Sequence, residues 1–262
     1  MTTRYYFDKV PLDAVTMQDV LERIDVAICN SRDASMQIVT ANAQFVQIAH
    51  GDISFANIIR DADLCVADGV SLVWASRILG WRLPGRVNGT DLMVRVCELA
   101  AVRGYGVYLL GGREGAAEGA ARRLRQRYPT LRVCGTDCPP IGFDSVRSLD
   151  EEVISRITAV KPEILFVGLG APKQEKWIQR HREICAGVMI GVGGSFELIA
   201  GMILRAPKLL QTCGLEWLWR LSMEPRRLFR RYLVGNTLFV LLVVRQYLTG
   251  SVDLSRMKVS KK

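Results

Sequence analysis

Apolar and polar positions follow two rhythms along this chain, and the rhythm changes repeatedly. Residues 15–30 (VTMQDVLERIDVAICN) carry apolar side chains three and four apart, the spacing of a helix with one buried face. Residues 36–42 (MQIVTAN) form a short apolar run closed by polar residues, which predicts a strand. The pattern then predicts a helix over 45–62, a strand with its turn over 64–69, a helix over 70–80 and a helix over 91–104. The last two end at Gly80 and Gly104, where glycine is the usual helix stop. Strand 106–112, helix 113–129, strand 131–137, helix 149–162, strand 163–170, helix 171–182, strand 187–194 and a helix from 195 follow. Residues 1–14 receive no element.

Strands alternating with helices predict an α/β, Rossmann-like fold, a mostly parallel sheet with helices on both faces. The strands read as near-continuous apolar runs, as strands covered on both faces do. Ligands bind such sheets at the carboxyl ends of the strands. The residues around TAN, ADG, LGG, GLG and VGG should therefore gather on one edge. From residue 204 the strand rhythm stops, and the sequence predicts a helical appendage: one helix through LEWLWRL, one from near Pro225, and a tail. Its apolar stretch around FVLLVV (239–244) is well short of the ~20 residues that span a bilayer.

Charge changes the picture at that same boundary. Residues 1–203 hold 23 Lys and Arg against 23 Asp and Glu, whereas 204–262 hold 12 against 3, so the whole net charge of +9 lies on the tail. A basic tail on a neutral body points to an anionic partner, membrane or nucleic acid. Arginines 220, 226, 227, 230 and 231 interleave with Trp217, Trp219, Phe229 and Tyr232. That mixture favours a membrane surface, at ~1 kcal/mol per basic residue near anionic lipid, and no nucleic-acid motif appears. The start of the chain lacks a signal-peptide core, and seven scattered cysteines without a CxxC read as small buried thiols of a reduced, cytoplasmic protein. With two histidines and no ligand-spaced partners, zinc is not expected.

Candidate chemistry sits at the strand ends. Asp68-Gly69 interrupts an apolar run. Asp-Gly is a common turn pair, and Asp68 could cap the helix at 70–80. A carboxylate in a partly dry pocket also has its pKa raised, which suits a general base. In GLGAPKQEKWI (168–178), glycines permit close backbone approach and the first helical turn offers amides and Lys173 to an anion, or is simply a solvated helix start. LLGG, with Gly111 and Gly112, and GVGGSFE, with Gly193, Gly194 and Glu197, repeat the form. Glu197 suits a ribose hydroxyl pair, or favours a helix amino-terminus. Asp61 and Asp63 have the D-x-D spacing of metal-dependent glycosyltransferases, but they precede their strand and so belong on the opposite edge; no metal is predicted.

Taken in order, TANAQ, ADG, GRVNGTDLM, LLGG, GLGAPKQEKWI, GVGGSFELIAG, RAPK and GLEWLWRLSMEPRRLFRRY resemble the WecG/TagA/CpsF glycosyltransferases, over about residues 8–235. The resemblance implies a bacterial enzyme that moves a sugar, such as N-acetylmannosamine, from a UDP-sugar to an undecaprenyl-diphosphate-linked acceptor, with inversion and without metal or other cofactor. It implies an α/β catalytic domain over 1–203 and, over 204–262, an appendage that docks on the inner face of the plasma membrane and completes the site. By position, it makes Asp68 the base and places Thr40 near the reacting sugar with Asn42 beside it. It assigns Arg86 to the leaving diphosphate, Gln174 to the substrate, Glu197 to ribose, and Arg220, Arg227 and Arg230 to the lipid diphosphate. Many members carry T-P-N-P-E where this chain has Thr40 to Gln44, TANAQ, a departure that bears on the donor sugar. A homo-oligomer, in which the appendage closes its own site or a neighbour's, fits the same reading. The rivals are a non-catalytic nucleotide-sugar-binding protein and a nucleic-acid-binding module using the tail.

Overall fold

The computed structural model describes residues 2–30, 35–184, 187–212, 214–223 and 225–249, with the main chain alone for 212, 220 and 226–234. Two short antiparallel strands, β1 (Arg4–Phe7) and β2 (Val10–Asp13), open the chain, followed by α1 (Met17–Cys29). Helix α1 starts where Thr16 and Asp19 cap each other, side chain to main chain. Next come β3 (Met36–Ala41), α2 (Ala43–Gly51), α3 (Ile53–Asp61), β4 (Leu64–Ala67), α4 (Val70–Ile78), α5 (Gly89–Arg103), β5 (Gly106–Gly111), α6 (Ala116–Arg127) and β6 (Arg132–Asp137). The chain continues through α7 (Arg147–Val160), β7 (Ile164–Gly168), α8 (Lys173–Arg180), β8 (Val188–Gly191), α9 (Ser195–Ala200), α10 (Lys208–Thr212), α11 (Glu216–Met223) and α12 (Pro225–Leu248).

Six strands, β3 to β8, form one sheet in the order β4-β3-β8-β7-β5-β6, and every neighbouring pair is parallel. Their side chains feed two apolar layers in alternation. In β7, Ile164 and Phe166 enter the layer under α1, α5 and α6, while Leu165 and Val167 enter the layer under α7 and α8. That is why the strands lack a polar alternate. From β3 to β5 the helices leaving neighbouring strands alternate faces: α2 after β3 and α8 after β7 pack on one side, α9 after β8 and α6 after β5 on the other, while α4 after β4 shares the face of α2. Where neighbours diverge in this way a crevice opens at the carboxyl edge.

Two elements differ from the sequence expectation. The helix expected over 45–62 is two helices, α2 and α3, broken at Asp52. Asp52 adopts extended backbone, caps α3 by accepting from Phe55 N at 3.0 Å, and pairs with Lys176 on α8 at 2.7 Å. The β1–β2 hairpin turns at Asp8, with φ of 51°, and Arg4 clasps Asp13 at 2.8 Å through two nitrogens. Of the thiols, Cys65 and Cys97 are buried, Cys134 and Cys138 are half-buried, and Cys29 is exposed rather than buried; Cys185 and Cys213 lie outside the described residues.

The appendage helices form as the pattern indicated, and α12 has two apolar faces. Phe239, Leu242 and Val243 are buried against the hairpin, with Phe239 and Phe7 rings 5.0 Å apart. Gln246 ties the same face down, donating to Tyr6 O at 2.9 Å and accepting from Asp8 N at 3.2 Å. The other face leaves Val240, Leu241, Val244, Tyr247 and Leu248 exposed. Among the described residues no helix is long and apolar enough to cross a membrane.

Candidate active site

A cavity of about 500 Å³ occupies the crevice at the carboxyl edge, within the range of small-molecule sites. Thr40 and Asn42 line it from the end of β3, Asp68 from β4, and Gly112 and Arg113 from β5. The turns 168–171 after β7 and 192–195 after β8 complete the floor, with Glu197 in the first turn of α9. The five strand ends singled out by sequence thus converge because the sheet is parallel.

A second cavity of about 190 Å³ lies between the body and the appendage helices. Arg86, Glu216 and Trp217 line it, and Gly235 on α12 closes it. Asn42, Gln44, Asp68 and Asn88 line both cavities, so Asp68 stands on the wall between them.

Local structure fixes that wall. Asp68 N and Gly69 N donate to Ala41 O at 2.8 and 3.3 Å, which extends the β3–β4 pairing past the strands. Asp68 does not cap α4; Gly69 occupies that cap without a side-chain bond. Instead Asp68 Oδ1 accepts from Gly89 N at 2.8 Å and Asn88 Nδ2 at 2.9 Å, at the start of α5. Asn88 in turn caps α5 through Thr90 N and Asp91 N. Two donors on one oxygen orient the carboxyl at a half-exposed position on the cavity edge.

Thr40 is buried, and its hydroxyl donates to Gly191 O at 2.8 Å, so only its oxygen lone pairs can serve a ligand. Asn42 Oδ1 accepts from Gln44 N at 3.0 Å and caps α2. Glu197 Oε1 accepts from Arg113 N at 3.0 Å, while its buried Oε2 has no hydrogen-bond partner among the described residues, an acceptor waiting for a donor beside the cavity. Gly112, with φ of 83°, donates to Gly168 O at 3.0 Å and lines the cavity with Gly193 and Gly194.

Two residues sit elsewhere than the sequence suggested, and a third lines the cavity with its polar atoms already bonded. Gly111 does not line the cavity; at φ of 98° it lets β5 approach β7, where a Cβ would stand 3.0 Å from Gly168 main chain. Arg86 lies in the second cavity, not with the glycine turns, and bonds Glu216 at 3.2 Å. Gln174 lines the main cavity, but its oxygen accepts from Gly170 N and Gly193 N, each at 3.1 Å, and its nitrogen donates to Glu175 at 2.6 Å. Arg220 lies in α11 and Arg227 and Arg230 in α12; their side chains lie outside the described residues. Asp63 accepts from Gln37 N at 3.0 Å and pairs with Arg182 at the amino-terminal edge of the sheet, away from both cavities.

Sequence reasoning missed Arg205, Asn88, Arg113 and Glu175. Arg205 holds Asp91 through two nitrogens at 2.6 and 2.8 Å. Its bond to Asp91, with Glu216 and Asp68 beyond, raises its pKa and keeps the charge beside the wall. Asn88 was legible as a helix cap in N-G-T-D, and Arg113 as the cation directly after a glycine turn. Glu175 carried no signal: it reads as a solvated charge of a first helical turn, yet it is fully buried, and burial raises its pKa to about 7.

The family model described as Glycosyl transferase WecG/TagA/CpsF family matches residues 5–252. Among similar proteins are those named N-acetylglucosaminyldiphosphoundecaprenol N-acetyl-beta-D-mannosaminyltransferase from Staphylococcus aureus strains MW2, NCTC 8325 / PS 47 and COL. Each is 36% identical over 222 residues, which is 84% of this chain and 85% of the relative.

Proposed function

This chain belongs to the WecG/TagA/CpsF family of glycosyl transferases, and we propose that it moves an N-acetylhexosamine such as N-acetylmannosamine from a UDP-sugar to an undecaprenyl-diphosphate-linked acceptor. The transfer inverts the anomeric centre and needs no metal. One observation carries this reading: a carboxylate, Asp68, stands on the wall between a glycine-lined cavity and a second, arginine-bearing one. The large cavity takes the donor, with Glu197 on ribose and the Gly112, Gly193 and Gly194 turns at the diphosphate. The small cavity takes the acceptor, with Arg86 facing its diphosphate. The names of the relatives, which specify a lipid-linked N-acetylglucosaminyl diphosphate and a mannosaminyl group, support both substrate classes.

In the transfer step Asp68 takes the proton of an acceptor hydroxyl as its oxygen bonds the anomeric carbon, and the bond from that carbon to UDP breaks. A single displacement of UDP by the acceptor oxygen inverts configuration. Charge on the departing UDP is met by arginines at the wall and by helix amino-termini. Mass spectrometry on a UDP-sugar panel with a short-chain lipid diphosphate acceptor tests the reaction. The expected product gains one N-acetylhexosamine in the inverted configuration, with transfer unaffected by EDTA. UDP binding without any transferred sugar would refute it.

In this reading residues 1–203 bind the donor and residues 204–262 bring the enzyme to the cytoplasmic face of the membrane. The exposed apolar face of α12 and the +9 charge of this segment support a lipid surface. The double variant Leu241→Glu, Val244→Glu changes only exposed positions. It is expected to weaken co-sedimentation with anionic vesicles at least tenfold, and unchanged partitioning would count against peripheral docking.

A further inference from the structure

Beneath the glycine turns lies a buried polar pair that the proposed chemistry does not use. Gln174 and Glu175 are adjacent in the first turn of α8, and both are buried. Space for them exists because residue 191, at the end of β8, is glycine: a Cβ there would stand 2.6 Å from Gln174 Nε2 and 3.0 Å from Glu175 Oε1.

The hydrogen bonds form a chain with one direction. Gly170 N, from the turn after β7, and Gly193 N, from the turn after β8, both donate to Gln174 Oε1 at 3.1 Å. Both glycines have positive φ, 75° and 52°, so each turn has a shape that other residues rarely adopt. One side-chain oxygen therefore joins two separate walls of the main cavity. The flipped amide would aim its NH2 at two N–H donors and its oxygen at a second acceptor, so a partner at the NH2 end reinforces the orientation that the two glycine amides favour. Glu175 Oε1 supplies the acceptor, at 2.6 Å from Gln174 Nε2.

We infer that Glu175 is a positioning residue of the donor site, whose carboxyl locks the Gln174 amide so that it clamps the Gly170 and Gly193 turns together. The inference rests on the large cavity being the donor site. Glu175 touches no substrate and acts only through Gln174. Its burial, and an Oε2 with no hydrogen-bond partner among the described residues, are costs that a helix start would not retain for solubility.

UDP binding to the full chain, measured by calorimetry, tests the inference. Glu175→Gln keeps an acceptor oxygen for Gln174 and is expected to bind UDP within about threefold of the wild type. Glu175→Met removes the acceptor and is expected to bind at least tenfold more weakly. Gln174→Met is expected to match it, and the double variant Gln174→Met, Glu175→Met to be no weaker than Gln174→Met, because both act through one clamp. Wild-type affinity in Glu175→Met, or losses that multiply in the double variant, would overturn the inference. Hydrogen exchange of the ligand-free wild type is a second measurement, and it needs no apolar variant to fold. The Gly170 and Gly193 amides should exchange slowly, as bonded amides do; exchange at unprotected rates would equally overturn it. If the wild type binds no UDP, the donor reading fails, and the exchange measurement still judges the clamp.

Discussion

Asp68→Asn is expected to lower kcat by about 10²–10⁴, the usual worth of a general base, while donor affinity stays within a few-fold. The substitution isolates the proton-accepting role. An asparagine Oδ1 can still accept from Gly89 N and Asn88 Nδ2, so the start of α5 and the wall between the cavities keep their geometry. What the amide cannot do is take a proton from an acceptor hydroxyl. Turnover of the purified variant on donor and short-chain lipid acceptor, with UDP affinity alongside, checks it. Near-wild-type turnover would remove Asp68 as base and leave it as a brace for the start of α5.

The second large effect concerns stability and pH. Burial raises the Glu175 pKa from 4.5 to about 7. Between those values the folded chain holds a proton that the unfolded chain has released, so stability falls as pH rises through that window and levels off above it. The difference amounts to about 3 kcal/mol, at 1.36 kcal/mol per pH unit. Around Glu175, the titratable groups are few. Cys65 on β4 is kept neutral by burial, with Asp13 and Arg4 acting on it, and Asp52 and Lys176 pair where α3 meets α8. Urea unfolding at pH 5 and pH 8 should therefore show the wild type losing about 2–3 kcal/mol more than Glu175→Gln over that range. Equal losses in the two proteins would mean that Glu175 does not hold its proton in the fold.

The arrangement of the site explains which parts were readable. Thr40, Asn42, Asp68, Gly112, Gly193, Gly194 and Glu197 could be grouped from sequence because each stands at or just after the carboxyl end of a strand, and a parallel sheet brings all such positions to one edge. Gly111 precedes Gly112 by one residue and resembles it in sequence, but the pleat turns it toward β7, where it serves packing. Arg86 lies on a loop between α4 and α5, with no period to place it, and only the position of α11 shows that it faces Glu216. The α2–α3 break was hidden because both helices present apolar faces with similar spacing; Asp52 became a cap through its bonds to Phe55 N and Lys176.

The α/β class, the parallel sheet, the strand-end turns and the boundary at which charge and pattern change are all written in the order of residues. Those features depend on local periodicity and on glycine, which act over a few residues and leave a direct trace in the sequence. Folding in three dimensions was needed to make two cavities share a wall at Asp68, to divide the apolar surface of α12 between the hairpin and solvent, and to bury Glu175. Each of these depends on what a distant segment places opposite a side chain. A carboxylate is spelled the same whether water or Gln174 surrounds it, and burial alone separates the two cases.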